Sequence, residues 1–271
     1  MAKKIIDVYS KNISFTENKS NDLYITIDNN NLFFSVKNSI NSQFLALEHF
    51  MSDMDEAGWD QLISLAQKKS KLINLIYSNV FFVWNNPRFI ITKHALKQDV
   101  LYYQQELNLV HGMNHNDDVY FNPIGDDLIL AYSIPDPLIV LLSKLFPNGV
   151  WHHYMEFVMK QGMDNCVSIF LFDQVFCLNI NGNGITQLSN YYKLEGANQN
   201  TYQILNACHH SAVETNISSV NVFGFEEDKN EFVNTLANYF KSGKLVESVE
   251  YWDNDDNKNC PNNIYTTYFI Y

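Results

Sequence analysis

Two stretches of this chain carry the same pattern. Asp22-Leu-Tyr-Ile-Thr-Ile-Asp28-Asn-Asn-Asn31-Leu-Phe-Phe-Ser-Val36 is echoed in the second half by Asn165-Cys-Val-Ser-Ile-Phe-Leu-Phe172-Asp-Gln174-Val-Phe-Cys-Leu178, each a pair of apolar runs split by a short polar turn. The segments after the two hairpins also match in order: a third strand, a helix, a short buried strand and a second helix. Repetition of a whole supersecondary unit constrains a fold more tightly than composition does, because each copy must bury the same faces. The pattern predicts two copies of one unit facing each other across a cleft.

In the first copy the spacing predicts strands near 22–28, 31–37 and 43–49, with Asp28-Asn-Asn-Asn31 supplying turn residues that tolerate left-handed backbone angles. Asp53-Met-Asp-Glu56 has capping-box spacing, and Trp59, Leu62, Ile63 and Ala66 share one helical face. Leu75-Ile-Tyr77 and Asn79-Val-Phe-Phe-Val-Trp84 read as a strand covered on both faces, with a helix near 94–108 after it. The second copy reads as strands near 165–172, 174–181 and 184–193. A helix near 199–213 with Tyr202, Leu205 and Cys208 on its face comes next. Ser218 to Phe223 is then a buried strand, and Asp228-Lys-Asn-Glu231 opens a helix bearing Phe232, Leu236, Tyr239 and Phe240. A strand near 127–133, an apolar helix near 136–146 and an amphipathic stretch from Val150 to Lys160 are expected to bridge the copies. Ile264 to Tyr271 alternates as a last strand would.

Composition narrows the function classes. With 46% hydrophobic residues in 271, the chain has material for substantial cores. Thirty acidic against eighteen basic residues leave a net charge of -12, which repels phosphate backbones and anionic lipid, so neither nucleic acid nor membrane insertion is expected. No run reaches the about 18 apolar residues of a spanning helix, and Met1 to Val8 lacks the apolar core of a signal peptide. A cytoplasmic location is the expectation. Cys166, Cys177, Cys208 and Cys260 form no C-x-x-C pair and read as reduced core residues.

Other constellations fail on their chemistry. His111 and His115 have zinc spacing, but Gly112, Asn114 and Asn116 speak against the helix it needs. Asp253-Asn-Asp255-Asp-Asn257 begins like a calcium loop, yet Lys258 replaces its glycine and Ile264 its bidentate glutamate. Asn181-Gly-Asn-Gly184 lies between strands and is a hairpin turn. His152-His153 and His209-His210 are adjacent pairs suited to surface or capping roles. A two-metal nuclease centre would have Asp28 and Glu56 but no acid on Asn79 to Trp84.

The repeated order of three meandering strands, helix, strand and helix resembles the duplicated ribonuclease-H-like fold of the actin-like ATPase superfamily, with the pilus-assembly branch nearest in style. The pairings of Leu32 to Val36 with Phe44 to Leu47, and of Phe176 to Ile180 with Ile185 to Leu188, look like an uncharacterised bacterial domain-of-unknown-function family assigned to that fold. The resemblance implies an α/β protein of two tandem lobes, each a mixed five-stranded sheet with flanking helices, residues 1–133 and 134–271, the second with the bridging helix. Active members of the superfamily place Asp-x-Gly-(Ser/Thr) in the first hairpin of each copy, so that backbone N–H groups cradle phosphate while the aspartate positions magnesium. Here Asp28 is kept, Asn30 stands at the glycine and Asn31 at the hydroxyl residue. In the second copy Asp173 is succeeded by Gln174 and Val175, and the adenosine-side glycine pair is reduced to Gly224-Phe225. The resemblance thus implies a degenerate nucleotide site at Asp28, Asn30, Asp173 and Gly224.

Two readings result, with different chemistry. In one the chain is a non-catalytic interaction or scaffold module that binds a protein partner or its own copy and carries no cofactor. In the other it binds Mg-ATP, or hydrolyses it, through Asp28 and Asp173. A small-molecule binder in the cleft is a third class, compatible with the aromatic content but attached to no particular residue.

Overall fold

The computed structural model describes residues 2–10, 13, 18–52, 58–93, 99–114, 116–160, 165–211, 213–214, 218–224, 230–240, 242–245, 267 and 271. The described chain divides into two compact units, one running to Glu156 and the other beginning at Phe157.

The first unit is built on a six-stranded sheet. The meander β2 (Asn18–Ile27), β3 (Asn31–Asn38) and β4 (Phe44–Met51) is antiparallel, and β1 (Lys3–Tyr9) lies antiparallel on the outer edge of β4. On the other side of β2, β5 (Tyr77–Trp84) and then β9 (Val150–His153) run parallel to it. A parallel neighbour requires a crossover, supplied by α1 (Trp59–Lys69) before β5 and by α3 (Asp136–Leu145) before β9. Leu32 to Val36 of β3 are all buried, as a near-continuous apolar run predicts for a central strand. The α1 residues that bury are Trp59, Leu62, Ile63 and Ala66, the face the sequence marks.

The second unit repeats this plan. β10 (Cys166–Leu171), β11 (Val175–Gly182) and β12 (Ile185–Lys193) form the meander, and α5 (Ala197–His210) leads to β13 (Ser219–Phe223), parallel to β10. α6 (Asn230–Ala237) then leads to β14 (Ser242–Leu245), parallel to β13. The order β12-β11-β10-β13-β14 matches β4-β3-β2-β5-β9 strand for strand. Asn183 and Gly184 both take positive φ, 54° and 74°, which makes the turn after β11 a tight hairpin of the primed kind. Cys166, Cys177 and Cys208 are buried and form no disulfide, and burial pushes Cys177 and Cys208 up from the ordinary thiol value, Cys208 to about 11.

Three features depart from the sequence reading. The helix expected near 94–108 to match the last helix of the second copy is α2 (Val100–His111), and it belongs instead to an inserted layer. There it covers a three-stranded sheet of order β6-β8-β7, made of β6 (Phe89–Lys93), β8 (Leu128–Pro135) and β7 (Asp117–Ile124), around Tyr103, Ile129 and Ala131. The true counterpart of α6 is α3. Of the stretch expected to bridge the copies, β9 instead completes the first sheet by hydrogen-bonding to β5, and the division into units falls after Glu156 where the sequence reading placed it after Ser133. The face of α5 is also rotated: Ile204, Ala207 and Cys208 bury while Tyr202 is exposed.

The additional strand β1 has its own anchor. Glu48 on β4 is fully buried, and its Oε1 accepts hydrogen bonds from Lys4 Nζ at 3.0 Å, from the Lys71 backbone N–H at 3.0 Å and from the Tyr9 hydroxyl. Burial and the Glu48 carboxylate raise the Tyr9 phenol well above its ordinary value, so it remains a donor. The capping box at Asp53, the helix start at Asp228 and the alternating segment from Ile264 lie outside the described residues.

Phe82 of β5 and Trp151 of β9 face each other in register with ring centroids 4.7 Å apart. A double-mutant cycle on Phe82→Ala and Trp151→Ala, read by urea unfolding, is expected to give a coupling of about 0.5–1.5 kcal/mol. Simple additivity would contradict the assignment of β9 to the first sheet.

Candidate functional site

Asp28 directly follows β2, whose apolar end runs into asparagines, and it begins the turn into β3. Its side chain closes that turn. Oδ1 accepts from the backbone N–H of Asn30 at 2.9 Å, from that of Asn31 at 2.7 Å and from Asn31 Nδ2 at 3.0 Å, while Oδ2 accepts from the same amide at 3.1 Å. This is the local turn that aspartate forms with backbone two and three residues on. Asn31, 6% exposed, passes the chain inward: its Oδ1 accepts from His49 Nε2 at 2.8 Å. The imidazole stacks on Phe33 at 4.1 Å, and burial lowers its pKa to about 3, so it is neutral and serves as a donor.

The backbone of the turn is committed as well. Asn30 O accepts from Ser52 N–H at 2.8 Å, Ile27 O from Asn85 N–H at 2.8 Å, and Asp28 O from the Trp59 indole N–H at 3.4 Å. Asn29 Oδ1 accepts from Asn86 Nδ2 at 3.4 Å. Asn30, at the position where the resemblance expects glycine, does not take a positive φ. The N–H groups of Asn30 and Asn31 and the Asp28 carboxylate are thus paired with one another.

In the second unit Asp173 and Gln174 are exposed at the tip of the β10–β11 turn, which is closed by Phe172 N–H to Val175 O at 2.9 Å. Gly224 comes directly after β13 with φ +70°, and a Cβ there would stand 2.5 Å from Leu171 O and 2.7 Å from Thr267 Cγ2. The glycine is demanded by close packing against the end of β10. Asp28 and Asn30 thus share one turn of the first unit. Asp173 and Gly224 share the corresponding end of the second, past the carboxyl ends of parallel strands, where ligands of α/β sheets settle.

The sequence reading missed a second polar centre in the first unit. His153 caps α4 (Tyr154–Lys160): its Nδ1 accepts from Met155 N–H at 3.1 Å, and Glu156 Oε1 accepts from His153 N–H at 2.8 Å. This is a capping box with imidazole in place of the usual hydroxyl. His153 Nε2 donates to Asn86 O at 2.8 Å, and burial lowers its pKa to about 4. Glu156, 1% exposed, also accepts from Asn122 Nδ2 at 2.7 Å and pairs with His152 Nδ1 at 2.9 Å. Burial alone would raise its carboxyl, but these bonds outweigh it and hold the group below its ordinary value. The His-x-x-Glu spacing was the available signal. His111 donates to Phe89 O at 2.9 Å, and among the described residues no three His, Cys, Asp or Glu converge as metal ligands. His115, Glu56 and the Asp253 to Asn257 loop lie outside the described residues.

A family model described as "Protein of unknown function (DUF3822)" matches residues 10–242. No curated protein matches the sequence. Among solved structures, a Bacteroides thetaiotaomicron protein described as having an actin-like ATPase fold and unknown function is similar over 91% of this chain and 95% of its own, at 15% identity and TM-score 0.75. A structure of the PilM–PilN type IV pilus biogenesis complex is similar over 92% of this chain and 95% of that one, at 10% identity and TM-score 0.58. The fold is that of the actin-like ATPases, in agreement with the resemblance carried by the duplicated strand order.

His49 and His153 refuse protons that the unfolded chain accepts near the ordinary value of 6.5. Their contribution is complete above 6.5 and declines as pH falls toward 4 and 3. The urea midpoint is expected to drop between pH 6.5 and 4.5, and His49→Gln, which keeps a donor for Asn31, is expected to flatten that slope; an unchanged slope would contradict the assignment. Gly224→Ala is expected to cost about 2 kcal/mol or more, through left-handed strain and the Leu171 carbonyl; a neutral effect in thermal unfolding would contradict the packing role.

Proposed function

The chain belongs to the DUF3822 family of proteins of unknown function, and on that premise we propose that it is a protein-interaction or scaffold module of the actin-like fold that does not turn over nucleotide. The observation that carries this is the closed state of the β2–β3 turn. A magnesium phosphate site needs backbone N–H groups free to meet phosphate oxygens and a carboxylate free to hold the metal or its water. The N–H groups of Asn30 and Asn31 instead donate to the Asp28 carboxylate at 2.9 and 2.7 Å. Opening the turn would forfeit these bonds and would also release Asn31 from His49.

The similarity to a protein solved in the PilM–PilN complex supports the interaction reading, since that protein bears the same architecture in an assembly with another chain. The net charge of -12 favours a protein partner or a second copy over nucleic acid, and among the described residues no helix is long and apolar enough to cross a membrane.

One observation favours the rival Mg-ATP reading: Asp28 and Asp173 occupy corresponding turns at the ends of corresponding strands, β2 and β10. Calorimetry separates the two. No heat and no change in melting temperature are expected with millimolar Mg-ATP. Asp28→Ala is expected to cost about 1–2 kcal/mol of stability equally with and without nucleotide, as loss of a turn cap does. Saturable nucleotide binding abolished by Asp28→Ala would overturn the proposal. So would strictly monomeric sedimentation together with cross-linking in native lysate that returns no specific partner.

A further inference from the structure

The two sheets end differently at matching edges. β4 and β12 are the last strands of their meanders, and their registers against β3 and β11 align them: Phe50 opposite Leu32 corresponds to Tyr192 opposite Phe176, and Glu48 opposite Phe34 to Asn190 opposite Leu178. The backbone agrees. Ser52 N–H donates to Asn30 O at 2.8 Å and Leu194 N–H to Gln174 O at 2.9 Å, so the even-numbered residues of both strand ends turn their N–H and C=O groups inward. By the alternation of antiparallel ladders the odd-numbered ones turn theirs outward. In the first unit β1 meets those outward groups, with Leu47 opposite Val8, His49 opposite Ile6, and Leu45 O accepting from Ser10 N–H at 2.7 Å. Among the described residues no strand pairs with the outer side of β12, which ends the order β12-β11-β10-β13-β14.

A row of outward backbone groups is a template for another strand, and proteins blunt such edges with charge, proline or short strands. β1, the outer edge of the first sheet, carries Lys3, Lys4 and Asp7. β12 runs for nine residues with no proline and with one charge, Lys193 at its end. Among the described residues the outward backbone groups of Ser189 and Lys193 meet no partner, and the Tyr191 N–H is met from within the strand, by Asn190 Oδ1 at 2.9 Å. The apolar surface breaks off here as well. Leu188, Tyr192 and Leu194 pack against the core that Ile204 and Cys208 of α5 cover, yet they are only half-buried. One more strand would complete both the hydrogen-bond ladder and that burial.

We propose that β12 pairs antiparallel with β12 of a second copy of this chain, about a two-fold axis at Asn190, so that the two sheets become one. The strand is complementary to itself in that register. Leu188 falls opposite Tyr192 of the partner subunit on both sides of the axis, Ser189 opposite its Tyr191 in hydrogen-bonded pairs, and Lys193 opposite its Gln187, so no like charges face each other. The Tyr191 N–H exchanges Asn190 Oδ1 for the Ser189 carbonyl of the partner subunit. Each copy carries a net charge of -12, so two copies approach most cheaply along a strand without acids, and β12 presents only a lysine. The two-fold arrangement is closed, with β12 fully used on both sides. This inference deepens the interaction reading by naming its surface and its partner.

The test is sedimentation velocity on the full chain over a wide range of concentrations, where a reversible monomer–dimer equilibrium is expected. Asn190 is exposed, so Asn190→Lys and Asn190→Glu do not endanger the fold, and each sets two like charges across the axis. Each variant alone is expected to weaken the dimer several-fold, and an equimolar mixture of the two to restore it. Ser189→Pro removes an outward N–H while leaving the ladder with β11 intact, and is expected to abolish the dimer. Because Ser189 Oγ also donates to Asn179 Oδ1, Ser189→Ala is the control, with the dimer retained. A chain that stays monomeric at its highest soluble concentration, a dimer undiminished by Asn190→Lys or Ser189→Pro, or a mixture that fails to recover would overturn the proposal. Cross-linking in native lysate to a different protein alongside such a result would leave the interaction reading standing and remove only the second copy.

Discussion

The β2–β3 turn rests on one carboxylate. Asp28 takes three hydrogen bonds on a single oxygen, and Asn31, whose side-chain amide meets both carboxylate oxygens, hands the network on to a buried neutral imidazole. Each member is satisfied by the next, and a buried network of this kind is rigid when complete and costly when broken. Asp28 is thereby part of the turn's own scaffold. Gly224 has a packing role of its own, its missing side chain making room for the Leu171 carbonyl and Thr267.

The repeated plan explains why both units carry such features at matching places. Each unit needs a turn at the end of its first meander strand and a close approach at the end of its parallel neighbour, whether or not a ligand is bound. In the first unit that approach is made by Asn85 and Asn86, whose donors reach Ile27 O and Asn29 Oδ1; in the second it is made by Gly224 against Leu171 O. The first unit has diverged further, adding β1 through Glu48 and inserting the β6-β8-β7 layer under α2. The buried capping box of His153 and Glu156 lies at the end of β9, and its link to Asn86 O joins the end of β5 to the start of α4.

Much of the fold could be read from the sequence, because the central strands are apolar on both faces and their turns are polar. Leu32 to Val36 and Cys166 to Leu171 announce themselves in that way. Of the inserted layer only β8 did, as the strand expected near 127–133, while β7 there and β9 at the edge of the main sheet did not. β7 runs Asp-Asp-Val-Tyr-Phe-Asn-Pro-Ile, with a proline and no alternation, and β9 has only four residues, so neither carries a periodic signal and their pairing is set by tertiary contact. At the candidate site the sequence singles out Asp28, Asn30, Asp173 and Gly224, but it carries no sign of which atoms pair. The sequence offers Asp28 as a metal-side acid, and the structure adds that its carboxylate accepts from the N–H groups of Asn30 and Asn31. His153 was hidden for a related reason: adjacent histidines look like surface residues unless the helix start between His153 and Glu156 is recognised.

The central claim is that the Asp28 carboxylate is a permanent acceptor for its own turn. Amide hydrogen exchange at Asn30 and Asn31, tracked by NMR with and without Mg-ATP, measures this directly. Slow exchange at both amides, unchanged by nucleotide, is the expected result. Fast exchange at both in the free protein, or resonances that move and reprotect on adding Mg-ATP, would contradict it.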